Sequence, residues 1–244
     1  MPFPAAFARV PILKRMLPSL VRRYHLLSGR RHVLMRYRGL RFLLDSRALI
    51  DRQLLVWGGY ERPQQRRLGA LCRDYQPAIF LDIGACWGYY ALLFGRQKTI
   101  REIHCLEPDP ANRAQLFANL WLNGLIDKVT VHALAASDRA GRAALSAPDA
   151  GNPGHKAIAD GQGVVTERLD ALFAFTEQTL AIKIDVEGHE LAVLNGAEAL
   201  LSGNRCVIQI EAVGANAEAV LKRLAALGYR HLNSISNDHF FVNA

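Results

Sequence analysis

Phe80-Leu81-Asp82-Ile83-Gly84-Ala85-Cys86-Trp87-Gly88-Tyr89-Tyr90 decides the fold, because an apolar strand breaks there into a turn flanked by glycines that opens a helix. Gly84 and Gly88 permit backbone angles and close approaches that a side chain would block, so a ligand can lie against main chain at the helix start. A second apolar run, Ile103-His104-Cys105-Leu106, ends in Glu107-Pro108, with Glu107 25 positions after Asp82. That spacing suits an acid that grips ribose hydroxyls.

The dinucleotide fingerprint G-x-G-x-x-G is absent, since Cys86 stands between glycines four apart. The pattern D-x-G-x-x-x-G with a later acid instead suits S-adenosylmethionine, which brings no pyrophosphate. The lack of Lys or Arg between Asp82 and Leu93 agrees with a ligand that has no phosphate to neutralise.

Length and composition bound the organisation. At 244 residues the chain can bury one sizeable core, and strand and helix signals run without a linker from about Ile79 to the end. We expect a basic N-terminal extension over residues 1–53 and one catalytic-type domain over 54–244. No apolar run reaches the roughly 18–20 residues that span a bilayer, and Met1–Leu20 lacks the pattern of a secretory signal. Cytoplasmic residence is the expectation. Cys72, Cys86, Cys105 and Cys206 are widely spaced with no C-x-x-C pair, which favours reduced structural cysteines over a metal site.

Charge is distributed unevenly. Residues 1–50 hold eleven Lys or Arg against Asp45 alone, leaving 19 of the chain's 30 basic residues against 21 of its 22 acids in the remainder. The basic segment reads as a solvated helical cap, a contact for an anionic membrane surface or acidic substrate, or a nucleic-acid contact. Nucleic acid is the least favoured, because no aromatic-interleaved basic platform accompanies the charges.

Along the chain, Asp109-Pro110 starts a helix that stops at Asn123-Gly124, and Val129-Thr130-Val131 alternates as a strand. From Ala135 to about Ala159 the pattern loosens, with Gly151-Asn152-Pro153-Gly154 and His155; two short strands near Ala143–Ser146 and Gly163–Glu167 flank a loop read as a substrate lid. A second informative segment is Leu180-Ala181-Ile182-Lys183-Ile184-Asp185-Val186-Glu187-Gly188-His189-Glu190. Lys183 and Asp185 share one strand face, and burying them costs free energy unless they pair or border a cleft. Another strand, Cys206–Ile210, ends in Glu211, and a hairpin of His231–Ile235 and Phe240–Asn243 closes the chain across Ser236-Asn237-Asp238. Strands alternating with helices imply a parallel sheet with ligands at the carboxyl ends of its strands, where Asp82, Glu107, Asp185 and Glu211 fall.

These residues resemble the FkbM-type methyltransferases, an S-adenosylmethionine-dependent family with the class I methyltransferase fold. The resemblance covers roughly Leu54–Ala244. It rests on Gly59-Tyr60-Glu61, Asp82-Ile83-Gly84-Ala85 with Gly88-Tyr89-Tyr90, Glu107-Pro108, Asn119, Asn123, Leu169-Asp170 and, most specifically, Lys183 to Glu190. The family pattern carries Asn at the position of Cys86 and a small aliphatic residue at that of Trp87. The resemblance implies an α/β Rossmann-like fold, a mostly parallel seven-stranded sheet with an antiparallel last strand and helices on both faces. It also implies methyl transfer to a hydroxyl oxygen, on sugars, glycolipid or polysaccharide units and polyketide-like metabolites.

On this reading Asp82, Gly84, Ala85, Gly88, Glu107 and Pro108 hold the cofactor, with Ser137 and Asp138 near the adenine rim. Asp185 serves the acceptor side, as general base or as ligand to a divalent cation that nothing else indicates, with Glu187, His189 and Glu211 in support. Competing structural roles are a Lys183–Asp185 pair, first-turn acids at Glu187 and Glu190, and an exposed helix-start imidazole at His189. Competing functions are an RNA or protein methyltransferase using the basic segment, and an inactive cofactor-binding scaffold.

Overall fold

Ile79–Ile83 is buried at every position, as a strand covered on both faces requires. The computed structural model describes residues 11–146 and 156–243. The lid tip, with Gly151–Gly154 and His155, lies outside the described residues.

In chain order, α1 (Pro11–Leu27) leads to a hairpin of β1 (His32–Tyr37) and β2 (Leu40–Asp45), then α2 (Leu49–Trp57) and α3 (Arg62–Tyr75). The alternation begins with β3 (Ile79–Ile83), α4 (Tyr89–Phe94), β4 (Glu102–Leu106), α5 (Pro110–Leu122) and β5 (Val129–His132). An arm of β6 (Ala135–Ala136), β7 (Gly141–Ser146) and β8 (Ala157–Glu167) follows. The chain continues through α6 (Leu169–Leu172), β9 (Thr179–Ile184), α7 (Glu190–Asn195), α8 (Glu198–Ser202), β10 (Arg205–Glu211) and α9 (Gly214–Ala226), ending in β11 (Arg230–Ile235) and β12 (Asp238–Val242).

Seven strands form one sheet in the order β11-β12-β10-β9-β3-β4-β5. The five from β10 to β5 are parallel, and β12 runs antiparallel to β10. The fold is therefore α/β with the reversed last strand. Because strand side chains alternate, Phe80, Ala181 and Val207 enter one core under α3, α4 and α5, while Leu81, Ile182 and Ile208 enter another under α6 to α9. Asp82, Lys183 and Gln209 lie in one cross-strand row on the first face. A polar line thus crosses an otherwise apolar layer.

The β1–β2 hairpin is a finding that the charge pattern concealed. Leu40, Phe42 and Leu44 are buried at alternate positions of β2 and join Leu54 and Phe80 in a single cluster. The edge of β2 is satisfied by side-chain amides one helical turn apart on α5 and at its C-terminal cap, Asn123. Asn123 accepts from Arg41 N at 2.9 Å and donates to Arg41 O at 2.7 Å; Asn119 accepts from Leu43 N at 2.7 Å; Gln115 donates to Leu43 O at 2.9 Å. A helix turn advances about 6 Å over four residues and a strand about 6.8 Å over two, which lets three amides follow one strand. Phe42 packs edge-on against Trp87 at 6.1 Å between centroids, so the hairpin houses the bulky residue by which this loop departs from the family pattern.

Asn119 also donates to Trp87 O at 3.0 Å and is fully buried. Replacing Asn119 with Ala strands the Leu43 amide and the Trp87 carbonyl, at a cost of about 2 kcal/mol. Thermal unfolding should show Tm lowered by several degrees; an unchanged Tm would mean that the amide ladder contributes nothing.

Candidate active site

The cleft lies where the sheet rows end. Ile83, Gly84, Leu106, Glu107, Pro108, Ala135, Ala136, Asp185 and Glu187 line a cavity of about 80 Å³ at the carboxyl ends of β3, β4 and β9. Leu145 and Ile158 of the β7–β8 arm border it, as does Lys156, which pairs with Asp109. It adjoins a larger recess of about 350 Å³ under the N-terminal hairpin, sharing Ile50, Cys86, Asn112 and Lys156. Jointly they reach the roughly 300–1,000 Å³ usual for small-molecule sites.

Gly84 has φ of 81°, and a Cβ there would stand 1.9 Å from the carbonyl oxygen of Asp185. Its immediate constraint is thus the close approach of the end of β9, in addition to any ligand contact. Gly88, at φ 87°, caps α4, and a Cβ on it would meet Leu116 at 2.3 Å. The loop amides of Gly84 and Ala85 both donate to Leu106 O, at 2.9 and 3.0 Å. Glu107 then fastens the turn: its carboxylate accepts from Cys86 N and from Asp109 N, each at 2.8 Å. Burial nonetheless outweighs those amides and pushes its pKa up.

Behind the cleft wall sits Lys183, only 5% exposed. Its ammonium donates to Asp185 Oδ2 at 2.9 Å and lies 5.0 Å from the Tyr90 ring centroid. Burial alone would push the Lys183 pKa down, but Asp185, Asp82 and Glu61 hold it well above its usual value. Tyr90 bridges, donating to Glu61 Oε2 at 2.8 Å and accepting from Gln209 Nε2 at 2.9 Å. Gln209 also donates to Asp238 Oδ1 at 2.7 Å.

The predicted residues divide into groups. Gly84, Glu107, Pro108, Asp185 and Glu187 line the cleft. Asp82 does not: it is 1% exposed, and neither oxygen meets a hydrogen-bond donor among the described residues. Burial raises its pKa to about 6 against the pull of Lys183, and the Ala91 amide lowers it a little without bonding geometry. Its position in the row makes it a counter-charge to Lys183, behind the lining of the cleft. Ala85 and Gly88 likewise shape the turn from beneath the cavity wall. Ser137, Asp138 and His189 come together outside the cleft lining, close to Ala136 and Glu187 in the chain, with Ser137 Oγ 2.9 Å from His189 Nε2 and 3.2 Å from Asp138 Oδ1. The Ser137 carbonyl is crowded against Gly196, where a Cβ would stand 1.9 Å away, and this contact keeps the trio against α7. Glu211 joins Asp185 and Glu187 around an adjacent recess of about 210 Å³.

Four participants carried no assigned role in the sequence: Glu61, Tyr90, Asp238 and Asp51. Asp238, expected in the hairpin turn, begins β12 and is 3% exposed between Gln64 and Gln209. Asp51 borders the recess under the hairpin; burial raises its pKa to about 6, and its Oδ2 accepts from Asp45 N and Gln115 Nε2. The one usable signal for Glu61 was its place in Gly59-Tyr60-Glu61. Among the described residues no group of three or more His, Cys, Asp or Glu side chains is arranged to hold a metal.

Residues 82–231, more than half of the chain, match the family model of the methyltransferase FkbM domain. The chain belongs to the FkbM methyltransferase family. Among solved structures, the FkbM methyltransferase of Methylobacillus flagellatus is similar at 22% identity and a TM-score of 0.49, over 68% of this chain and 43% of that one. The chain thus spans less than half the length of that relative. M. jannaschii TYW2 in complex with AdoMet aligns at 12% identity and TM-score 0.47, over 87% and 84% of the two chains. A putative O-methyltransferase from Klebsiella pneumoniae aligns at 17% and 0.45, over 76% and 82%. No curated protein matches.

Glu211 supplies a pH test of this electrostatic arrangement. Burial, then Asp185, Asp238 and Glu61, raise its pKa from 4.5 to about 8. The folded state therefore holds a proton that the unfolded chain releases, so this stability is full below pH 4.5 and falls as pH rises through about 8. Glu211→Gln should unfold at a higher temperature than wild type in alkaline buffer, with the gain shrinking towards acid. A gain independent of pH would refute the raised pKa.

Proposed function

We propose that the protein is an S-adenosylmethionine-dependent O-methyltransferase acting on a hydroxyl of a sugar, a glycolipid or polysaccharide unit, or a polyketide-like metabolite. The observation that carries this reading is the cleft itself, with Glu107 directly after β4 and Asp185 directly after β9 on facing sides of Gly84. The residues present fit the cofactor. Gly84 exposes main chain, Ile83, Leu106, Ala135 and Ala136 give an apolar lining, and carboxylates dominate the charge where a sulfonium would lie.

When bound, the cofactor supplies a methyl group on a positively charged sulfur, open to in-line displacement. The chain's work is alignment and proton handling. A carboxylate has about four acceptor sites. Glu107 uses two on the Cys86 and Asp109 amides, which fixes the carboxylate and leaves the others for ribose hydroxyls. Asp185 is oriented through one oxygen by Lys183, and its other oxygen serves to position the acceptor hydroxyl. Glu211, with its pKa raised to about 8, is suited to take a proton near neutral pH. Glu187 borders both the cofactor cleft and the recess beside Glu211, so we place the acceptor along that shared wall.

Titration calorimetry with S-adenosylhomocysteine tests the cofactor half: wild type should bind one equivalent, and Glu107→Gln should weaken binding about tenfold or more. Asp185→Asn should retain that affinity while slowing transfer to a hydroxyl acceptor by about 100-fold or more. Absence of binding by the wild type would remove the cofactor assignment; full turnover by Asp185→Asn would remove the acceptor-side role.

A further inference from the structure

The helix α1 carries an apolar face that the other described residues leave uncovered. Leu17, Pro18, Val21 and His25 are half-buried on one side. Met16, Leu20, Tyr24 and Leu27 are 51%, 54%, 60% and 81% exposed. Spaced at four, four and three residues, these four fall within about 80° of one another around the helix, given roughly 100° per residue. Leu34 on β1 is a further exposed apolar residue, at 66%.

The segment that carries this stripe is strongly basic. Arg23, Arg30, Arg31, Arg36, Arg38, Arg41 and Arg47 are all exposed on α1, the hairpin and their connections. The first 50 residues hold eleven of the chain's basic residues and one acid, whereas the remainder has a slight acidic excess. A nucleic acid would account for the arginines but not for an exposed row of Met, Leu, Tyr and Leu. A second copy of the chain would cover the row but set two strongly basic segments against each other. An anionic bilayer satisfies both features, since the stripe can enter the acyl boundary while the arginines meet headgroup phosphates.

We infer that α1 docks the protein on an anionic phospholipid surface, lying in the interface with Met16, Leu20, Tyr24 and Leu27 facing the acyl chains. The helix has 17 residues, about 25 Å at 1.5 Å per residue. No helix among the described residues is long and apolar enough to cross a membrane. Docking is therefore lateral and reversible, and it rests on the surface alone, independent of the methyl-transfer reading.

Sedimentation with vesicles of equimolar phosphatidylcholine and phosphatidylglycerol tests it. Wild type should pellet with these vesicles, lose most of that binding at high salt, and stay in solution with pure phosphatidylcholine. The exposed double variant Leu20→Glu/Leu27→Glu should bind at least about tenfold more weakly, with unchanged circular dichroism and S-adenosylhomocysteine affinity. Wild type remaining in the supernatant with anionic vesicles, or a double variant that pellets as wild type does, would overturn the inference. So would a wild-type dimer that the double variant converts to monomer without any vesicle binding.

Discussion

A single buried ammonium sets the terms for the rest of the site. Lys183 lies in the central strand β9, beside Asp82 of β3 and Gln209 of β10, with Asp185 on its own strand face. Glu61 and Asp238 come from outside the parallel strands, one preceding α3 and one beginning β12. An isolated buried charge costs several kcal/mol, and these carboxylates would repel one another without a cation among them. The ion pair is therefore a condition for bringing acids to the ends of four strands at once.

That condition shapes the chemistry. Lys183 holds Asp185 by one oxygen and so defines its position, and burial, together with the crowding of carboxylates around Lys183, raises the pKa of Glu211 to about 8. On the opposite wall Glu107 is fixed by amides of the turn it faces. Gly84 lets the two walls approach, because only a residue without Cβ allows β9 to end against the turn. The geometry at the cleft thus follows from three local requirements: a cation in a parallel sheet, a stapled turn and one bare backbone position.

The sheet was legible in the sequence because parallel strands buried on both faces read as near-continuous apolar runs, as Ile79–Ile83 and Leu180–Ile184 do apart from Asp82 and Lys183. The caps of α5 were legible too, since Asp109 accepts from Ala111 N and Asn112 N as a helix-start acid does. Local signals did not reveal the β1–β2 hairpin. Its outward positions include Arg36 and Arg41, and the main chain of Arg41 and Leu43 finds its partners 72 to 82 residues away, on Gln115, Asn119 and Asn123. The side chain of Asp82 could not be placed from the turn alone for a related reason: a carboxylate beside a glycine turn reads the same whether it faces the cleft or a lysine on the next strand. Ser137, Asp138 and His189 could not be placed by spacing, because their contact depends on the packing of Gly196 against the Ser137 carbonyl. The basic character of the first 50 residues was plain, whereas the apolar stripe within it emerged only when α2 was seen to cover the other side of α1.

The most direct test of the central electrostatic claim is the pH dependence of thermal unfolding of Lys183→Met, which keeps much of the side-chain volume and removes the charge. Asp82 and Glu211, raised to about 6 and about 8, would ionise without their cation. The account predicts a stability deficit against wild type that is small in acid and widens steadily as pH rises through this range. A deficit that stays constant from acid to alkaline buffer would contradict it and leave Lys183 as packing alone.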